Sequence, residues 1–301
     1  QLFMWCAVFI IAFKGVDNID YFDKAINRVM LFFPIVLALY LSYAFSDHYK
    51  ASDQANSIYY CLLFLPFVLA YKRKYLNVIY IAALFACSSI SLKRTAIIGL
   101  VLSVFIFYVV ELYTKDELKK KFAIIVGSIL LIIICVGSYN FLADNFNIDI
   151  ISRFDSISSD EGSGRKYIWE EVWNQQKNAP IKHWILGEGS NGVYYKANIF
   201  LLRDYVSAHD DFLEVLYDYG IFGFIFYIAF IIQIIIYAIR MIKKKISIAA
   251  PFTASIALFV TMSVTSHLII YPNYFYLIMI FWGICIAKYE NLYNQKRRSL
   301  M

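Results

Sequence analysis

The feature that most constrains this chain is a series of apolar runs, each close to the length that crosses a lipid bilayer. Hydrophobic residues make up 61% of the 301 residues, whereas soluble domains contain roughly 45–50%. A transmembrane helix needs about 20 apolar residues, and a helix satisfies its own backbone hydrogen bonds inside the bilayer. The sequence therefore predicts an all-α polytopic membrane protein.

The runs predict about nine transmembrane helices. We expect a partial span at 1–13 and full spans at 29–45, 57–71, 75–92, 95–113, 122–139, 219–240, 248–270 and 273–288. The chain opens on Gln1 inside an apolar run, without the charged segment that begins a signal peptide. We therefore expect an N-terminally truncated sequence. The cysteines lie in apolar runs, and their spacing indicates neither a disulfide framework nor a metal site.

Lysine and arginine residues in the short loops predict the orientation, because loops on the cytoplasmic side carry an excess of both. Basic residues cluster on one predicted side at 72–74, 115–121, 240–245 and 288–298. The net charge of +6 thus reflects membrane topology, and we expect no nucleic-acid partner. Three domains follow from this orientation: membrane helices at 1–139, a large extracytoplasmic loop with two short helices at 140–218, and membrane helices with a basic cytoplasmic tail at 219–301.

Lys93 and Arg94 are exceptions to this pattern, since the same orientation places them outside. Arg94 also starts a predicted helix, where the macrodipole disfavours a cation. Two separate costs at one place indicate an anionic ligand that compensates them. The alternative is an ordinary short loop that tolerates a basic pair.

The predicted outer loop begins with an irregular polar stretch at 140–160 and then becomes helical from Arg165 to Lys177. We expect Ser163 to be the N-cap of this helix. Its tryptophans, Trp169 and Trp173, are typical of a membrane interface, and stacking on a sugar ring is the second interpretation.

A glycine-rich turn follows, in which Gly187 and Gly189 permit positive φ and close approach to a ligand. A tight loop without a ligand explains these glycines equally simply. The turn lacks the βαβ context of a nucleotide-binding fingerprint.

His209 is the strongest candidate for catalysis. Ser207 and Asp210 form a capping-box pattern, which predicts that His209 occupies the second position of a helix that ends at Gly220. We expect its ring to share a face with Phe212 and Leu213, away from water. The positive end of the helix should favour a neutral imidazole, which can accept a proton. The simpler interpretation is a partly buried structural histidine.

Several motifs in order carry a family resemblance. They are Ser91-Leu92-Lys93-Arg94-Thr95 between two membrane helices, Ser163-Gly164-Arg165, Gly187-Glu188-Gly189, and the segment from Ala208-His209 through Gly223. This order resembles the O-antigen polymerase and O-antigen ligase superfamily, which is Wzy-type and GT-C-like, over roughly residues 75–240. The last motif is the most specific. Relatives usually carry Asn after the histidine, where this chain has Asp210.

The resemblance implies a metal-independent, inverting glycosyltransferase in the bacterial cytoplasmic (inner) membrane, with no cofactor. Its expected partners are an undecaprenyl-pyrophosphate-linked oligosaccharide, the lipid bilayer and a chain-length regulator protein. His209 would take a proton from the acceptor hydroxyl, while Arg94, Arg165 and Lys93 would bind the pyrophosphate. Arginine matches a pyrophosphate in a bidentate manner. Secondary substrate-binding candidates are Arg203, His267, Gly187 and Gly189.

Three functions fit these expectations. The first is a polymerase that joins lipid-linked repeats into O-antigen, capsule or exopolysaccharide on the outer face of the membrane. The second is an O-antigen ligase that transfers the glycan to a lipid core or another acceptor. The third is a transporter of lipid-linked oligosaccharide, which should show inverted repeats that the sequence does not display.

Overall fold

A computed structural model describes residues 2–16, 19–46, 51–146, 150–155, 164–197, 199–201, 204–266, 268 and 272–298. Helices dominate these ranges. In chain order they are α1 Leu2–Lys14, α2 Ile19–Ala44, α3 Ala51–Leu62, α4 Leu65–Ala70, α5 Lys74–Ile90, α6 Arg94–Thr114, α7 Leu118–Phe146, α8 Ile150–Asp155, α9 Arg165–Asn178, α10 Ile181–Leu186, α11 Gly192–Lys196, α12 Asp211–Lys243, α13 Ala249–Thr265 and α14 Pro272–Arg298. Two short strands, β1 Phe200–Leu201 and β2 Asp204–Tyr205, pair antiparallel.

Each predicted membrane segment contains a helix, which confirms a polytopic helical membrane protein. Among the described residues, however, five helical segments rather than about nine are long and apolar enough to cross a bilayer: Tyr21–Ala44, Arg94–Thr114, Leu118–Asn145, Asp211–Lys243 and Phe275–Tyr293. The other four apolar helices have 10–17 residues. Because a perpendicular crossing needs about 20 residues, their length does not support the count of nine.

Two segments differ from the sequence prediction for local reasons. The predicted span 57–71 consists of α3 and α4, and α4 begins with Pro66 in its first turn. Proline lacks the N–H that would continue the preceding helix, so the helix breaks there. The predicted irregular stretch at 140–160 begins instead as the last turns of α7, which runs to Phe146, and continues as α8.

The chain forms two compact units. The first contains residues 1–149, 237–258 and 272–301, and the second contains residues 150–236 and 259–271. Compactness does not show which residues lie in the membrane, so the three predicted domains stay predictions.

Aromatic packing forms much of the core of the first unit. Phe67 contacts Phe281 edge-on at 5.1 Å between ring centroids, and both side chains are fully buried. The indole N–H of Trp282 donates a hydrogen bond of 2.8 Å to the Ser255 hydroxyl. Burying an indole is favourable when its N–H finds an acceptor, so this bond fixes α14 against α13.

The second unit has its own apolar core. Ile168 and Val172 of α9 are buried against Val193 of α11 and against Ala208 and Tyr217. Ile168 and Val172 are one helical turn apart, as expected for one face of α9. This core holds α9, α11 and the start of α12 around the candidate site.

Candidate active site

The start of α12 differs from the sequence prediction in a way that matters for His209. The helix begins at Asp211, and the Asp210 side chain accepts the backbone N–H of Leu213 at 2.9 Å. Asp210 is therefore the N-cap and not the third helical residue. His209 lies just before the helix, with φ of +54°. The predicted position inside the helix, and the shared face with Phe212 and Leu213, are wrong.

The backbone before His209 is held from both sides. The Glu214 carboxylate accepts the Ala208 N–H at 2.7 Å, and the Trp169 indole donates to the Ala208 carbonyl at 2.9 Å. Ala208 itself is fully buried. We call these two hydrogen bonds the Ala208 clamp. The clamp fixes the peptide group from which the half-buried His209 side chain extends.

Positive φ values mark three of the sequence motifs. Among the described residues other than glycine, Leu92, Asn191, His209 and Lys245 have φ between +50° and +56°. Leu92 directly precedes Lys93, and Asn191 lies in the glycine-rich turn. This conformation costs a residue with a β-carbon roughly 1–2 kcal/mol, and such strain concentrates at functional sites.

Three buried carboxylates on α12 bind backbone N–H groups of other segments. Asp211 accepts from Leu268 at 3.0 and 3.2 Å, and Asp218 accepts from Gly192 at 2.8 Å and Val193 at 3.3 Å. Glu214 is the third, and it accepts the Ala208 N–H as part of the Ala208 clamp. Each satisfies a backbone donor that would otherwise be buried without a partner.

The glycine-rich turn packs closely on α12. A β-carbon on Gly187, whose φ is +73°, would lie 2.2 Å from the Asp218 carbonyl oxygen. The Gly189 N–H, with φ of +99°, donates to the same carbonyl at 2.8 Å. Only glycine fits the first position without a shift. This contact gives Gly187 a packing role, and a substrate contact by either glycine stays a prediction.

Polar contacts also tie the turn to α10. His183 is buried, and its Nδ1 lies 2.9 Å from a Glu188 carboxylate oxygen. The other oxygen of that carboxylate accepts a hydrogen bond from Lys196 at 3.1 Å. The hydrogen bond from Lys196 holds the pKa of the Glu188 carboxyl below its usual value. Sequence reasoning missed this cluster, because a lone histidine and acid give no sign of contact.

An open groove of about 440 Å³ lies beside this site. It is lined by Trp169, Glu170, Trp173, Asp210, Phe212, Leu213, Leu216 and Phe224. Partial burial raises the pKa of the Asp210 carboxyl, although hydrogen bonds from Leu213 and Phe212 oppose that rise. The groove thus combines two indole rings with two carboxyl groups, one of them adjacent in sequence to His209.

The predicted cations fall in both units. Arg165 is the first residue of α9 and is half-buried, and its N-cap is Gly164 with φ of +76°. The predicted N-cap Ser163 lies outside the described residues.

In the first unit, the half-buried Lys93 ammonium lies 5.5 Å from the centre of the Tyr59 ring, and Arg94 begins α6. Arg203 and His267 lie outside the described residues. No cluster of histidine, cysteine or acidic residues that could hold a metal occurs within the described ranges.

These features define a polytopic helical membrane protein with a compact unit in which Asp210, the sequence neighbour of His209, lines a groove with two indole rings, called the aromatic groove below. Residues 79–228 match the sequence model of a family described as O-antigen ligase. The chain belongs to the O-antigen polymerase and O-antigen ligase superfamily, as its motifs predicted. No curated protein and no solved structure matches it.

Membership places the chain among multi-pass bacterial membrane proteins with glycosyltransferase-like activity. Their role is polysaccharide assembly, as a polymerase or a ligase. The matched range, 79–228, includes His209, Arg165, Arg94 and Lys93. It also contains every hydrogen bond of the Ala208 clamp.

Proposed function

We propose that this protein polymerises undecaprenyl-pyrophosphate-linked oligosaccharide repeats on the outer face of the bacterial cytoplasmic membrane. The observation that carries the proposal is the Ala208 clamp, which holds His209 in a left-handed conformation at the tip of α12. A structural histidine has no need of a strained and doubly fixed backbone. A general base does, because proton transfer requires its ring within hydrogen-bonding reach of the acceptor hydroxyl.

In the proposed reaction, the acceptor sugar hydroxyl attacks the anomeric carbon of the donor glycan from the face opposite the pyrophosphate. The new bond joins the acceptor oxygen to that carbon. The bond from the carbon to the pyrophosphate oxygen breaks and leaves undecaprenyl pyrophosphate. His209 accepts the hydroxyl proton. One displacement at the anomeric carbon inverts its configuration, and no metal ion takes part in the step.

The leaving pyrophosphate needs positive charge to stabilise it. We assign this role to Arg165, because it is the first residue of α9 and the backbone N–H groups of a helix N-terminus also favour an anion. Lys93 and Arg94, at the start of α6, are proposed for the same role. Arg203, His267, Gly187 and Gly189 remain secondary candidates, and a chain-length regulator remains a proposed partner.

The aromatic groove supports a glycan as the ligand of the second unit. Indole rings stack on the apolar faces of sugar rings, and carboxylates accept hydrogen bonds from their hydroxyl groups. Trp169 and Asp210 both line the groove. Trp169 is part of the Ala208 clamp, and Asp210 follows His209 in the sequence. We propose that the acceptor repeat binds there.

A ligase is the second candidate, because the matching family is described as O-antigen ligase. The same histidine would then deprotonate a hydroxyl group of a lipid core or another acceptor. The glycans of a deletion strain separate the two functions. A polymerase defect leaves lipid capped with a single repeat, whereas a ligase defect leaves polymer on its carrier lipid.

His209→Asn tests the chemistry with the least structural change, because asparagine adopts positive φ readily and cannot act as the base. We expect product formation from a synthetic undecaprenyl-pyrophosphate glycan to fall at least about 100-fold, the usual contribution of a general base. Donor binding should be retained. As a control for the folding of the unit, exposed Lys182→Ala should leave turnover unchanged. Near-normal turnover of the His209→Asn enzyme would exclude His209 as the base.

A further inference from the structure

The first unit contains a cavity of about 550 Å³ that the proposed glycosyl transfer does not use. Its lining includes the start of α2, the turn between α4 and α5, the ends of α6 and α7 that face each other, and the turn before α13. Lys288, near the end of α14, closes it. The turn between α4 and α5, the facing ends of α6 and α7, and Lys288 belong to the basic segments that predict the cytoplasmic side.

The charges around this cavity are unbalanced. Five lysines line it, against two carboxylates: Lys72, Lys74, Lys115, Lys120 and Lys288, with Asp23 and Glu111. Both carboxylates are already paired. Asp23 lies 2.6 Å from the Lys72 ammonium, and Glu111 lies 3.3 Å from that of Lys115. Lys120 pairs with Glu117 at 2.5 Å.

Two of the lining lysines form no ion pair within the described part of the chain, Lys74 and Lys288. Lys288 is the more informative, since only 8% of its surface is exposed. Its ammonium lies 4.1 Å from the centre of the Phe22 ring. A cation–π contact offsets only part of the cost of removing an ammonium from water. A buried lysine that faces a cavity is therefore suited to an anion within that cavity.

The remaining walls are apolar. Leu69, Val78 and Ile81 contribute from α4 and α5, and Phe107 and Ile124 contribute from α6 and α7. A small hydrophilic anion would leave this surface uncovered. A molecule with an anionic head and a hydrocarbon chain matches both parts of the cavity.

We propose that the cavity binds an anionic phospholipid, with its phosphate between Lys288 and Lys74 and part of an acyl chain along the apolar wall. Basic pockets between membrane helices on the cytoplasmic side are suited to such headgroups. The occupant belongs to the leaflet that the basic loops face, since that leaflet is rich in anionic lipid. Binding there would link the ends of α2, α5, α6 and α14.

The test measures lipid binding by native mass spectrometry of the whole chain, purified in detergent. The probes are phosphatidylglycerol, phosphatidylcholine, glycerol 3-phosphate and undecaprenyl phosphate. Both lipids carry a phosphate, but phosphatidylcholine also carries a choline cation that the lysines repel. We therefore expect phosphatidylglycerol to bind at least about tenfold more tightly than phosphatidylcholine. Glycerol 3-phosphate, which lacks the chain, should bind too weakly to detect.

Lys288→Met keeps the length of the side chain and removes the charge. We expect it to weaken phosphatidylglycerol binding at least about tenfold. Lys74→Met should weaken it in the same direction, and this variant keeps the test open if Lys288→Met does not fold. The matched control is Lys119→Met, an exposed lysine of α7 outside the cavity, which should bind as the unchanged protein does.

Three results would overturn the proposal. One is equal binding of phosphatidylglycerol to the Lys288→Met, Lys74→Met and unchanged proteins. Another is equal affinity for phosphatidylcholine or for glycerol 3-phosphate. The third is tighter, Lys288-dependent binding of undecaprenyl phosphate, which would assign the cavity to the carrier lipid. None of these results depends on glycosyl transfer, so none of them tests the proposed function.

Discussion

At the scale of residues, the sequence identified His209 but placed it wrongly. Ser207 and Asp210 are both good N-caps, so local preference alone could not choose between them. The Ala208 clamp favours Asp210, because it engages both the N–H and the carbonyl of Ala208, and that carbonyl would otherwise accept a hydrogen bond within the helix. Trp169 lies 39 residues from Ala208 in the sequence, so the capping-box pattern gives no sign of this contact. The sequence could therefore single out His209 as the candidate base, whereas the backbone geometry of His209 could not be predicted.

The Ala208 clamp can be tested by removing one hydrogen bond. Trp169→Phe keeps an aromatic ring and loses the N–H that donates to Ala208. We expect a loss of about 0.5–1.5 kcal/mol in the free energy of unfolding and a larger proportional fall in kcat than in donor affinity. Thermal unfolding and steady-state kinetics measure the two effects.

The control for this prediction is Tyr167→Phe on the same helix. Tyr167 is 46% exposed and lies outside the lining of the groove. This variant should keep kcat close to that of the unchanged enzyme. Equal kcat values for the two variants would show that the Ala208 clamp does not position His209.

At the scale of elements, helical segments were predicted well, because apolar runs and glycine or proline breaks are local signals. Gly220 illustrates a correct prediction. It interrupts α12 with φ of +63° and ψ of −166°, so the first turns and the long apolar part meet at a kink. The packing of the glycine-rich turn against α12 was not predictable, since it depends on contacts between distant segments.

Gly220→Ala should destabilise the second unit. A β-carbon there would lie 2.4 Å from the Ile185 carbonyl oxygen, and positive φ adds roughly 1–2 kcal/mol of strain. We expect a loss of at least about 2 kcal/mol, since the overlap adds to this strain. Proteolysis within 164–219, followed over time, would detect the loosened unit.

Gly137→Ala is the matched control, because a β-carbon at that position meets no atom within 4 Å. Alanine inside a helix is about 1 kcal/mol more favourable than glycine, so this variant should be as resistant as the unchanged protein or more so. If Gly220→Ala is equally resistant, the kink does not need glycine.

At the scale of the whole molecule, composition predicted a helical membrane protein, and the structure confirms it. The number of crossings was less predictable, because short apolar helices such as α5 and α13 have the composition of a span without its full length. Tilt and packing decide whether such helices cross the bilayer, and the hydropathy of a segment determines neither.

Cysteine labelling of intact cells tests the predicted orientation. In a background with the five native cysteines replaced, we introduce Lys119→Cys or Lys182→Cys. Both side chains are exposed. Lys182→Cys should react with a membrane-impermeant maleimide in intact cells, and Lys119→Cys only after the cells are opened. The reverse pattern would invert the predicted topology and place His209 in the cytoplasm.

The contact between α1 and α14 has a consequence for biosynthesis. Trp5 packs on Phe275 at 4.6 Å, and Asn291 donates a hydrogen bond of 2.7 Å to the Val16 carbonyl. A β-carbon on Gly283 would lie 2.8 Å from the Phe9 carbonyl oxygen, so the backbones nearly touch. The ribosome makes these helices far apart in time. The earlier helix therefore lacks its partner until the later one is made, so this contact cannot form while the segments between them are being synthesised.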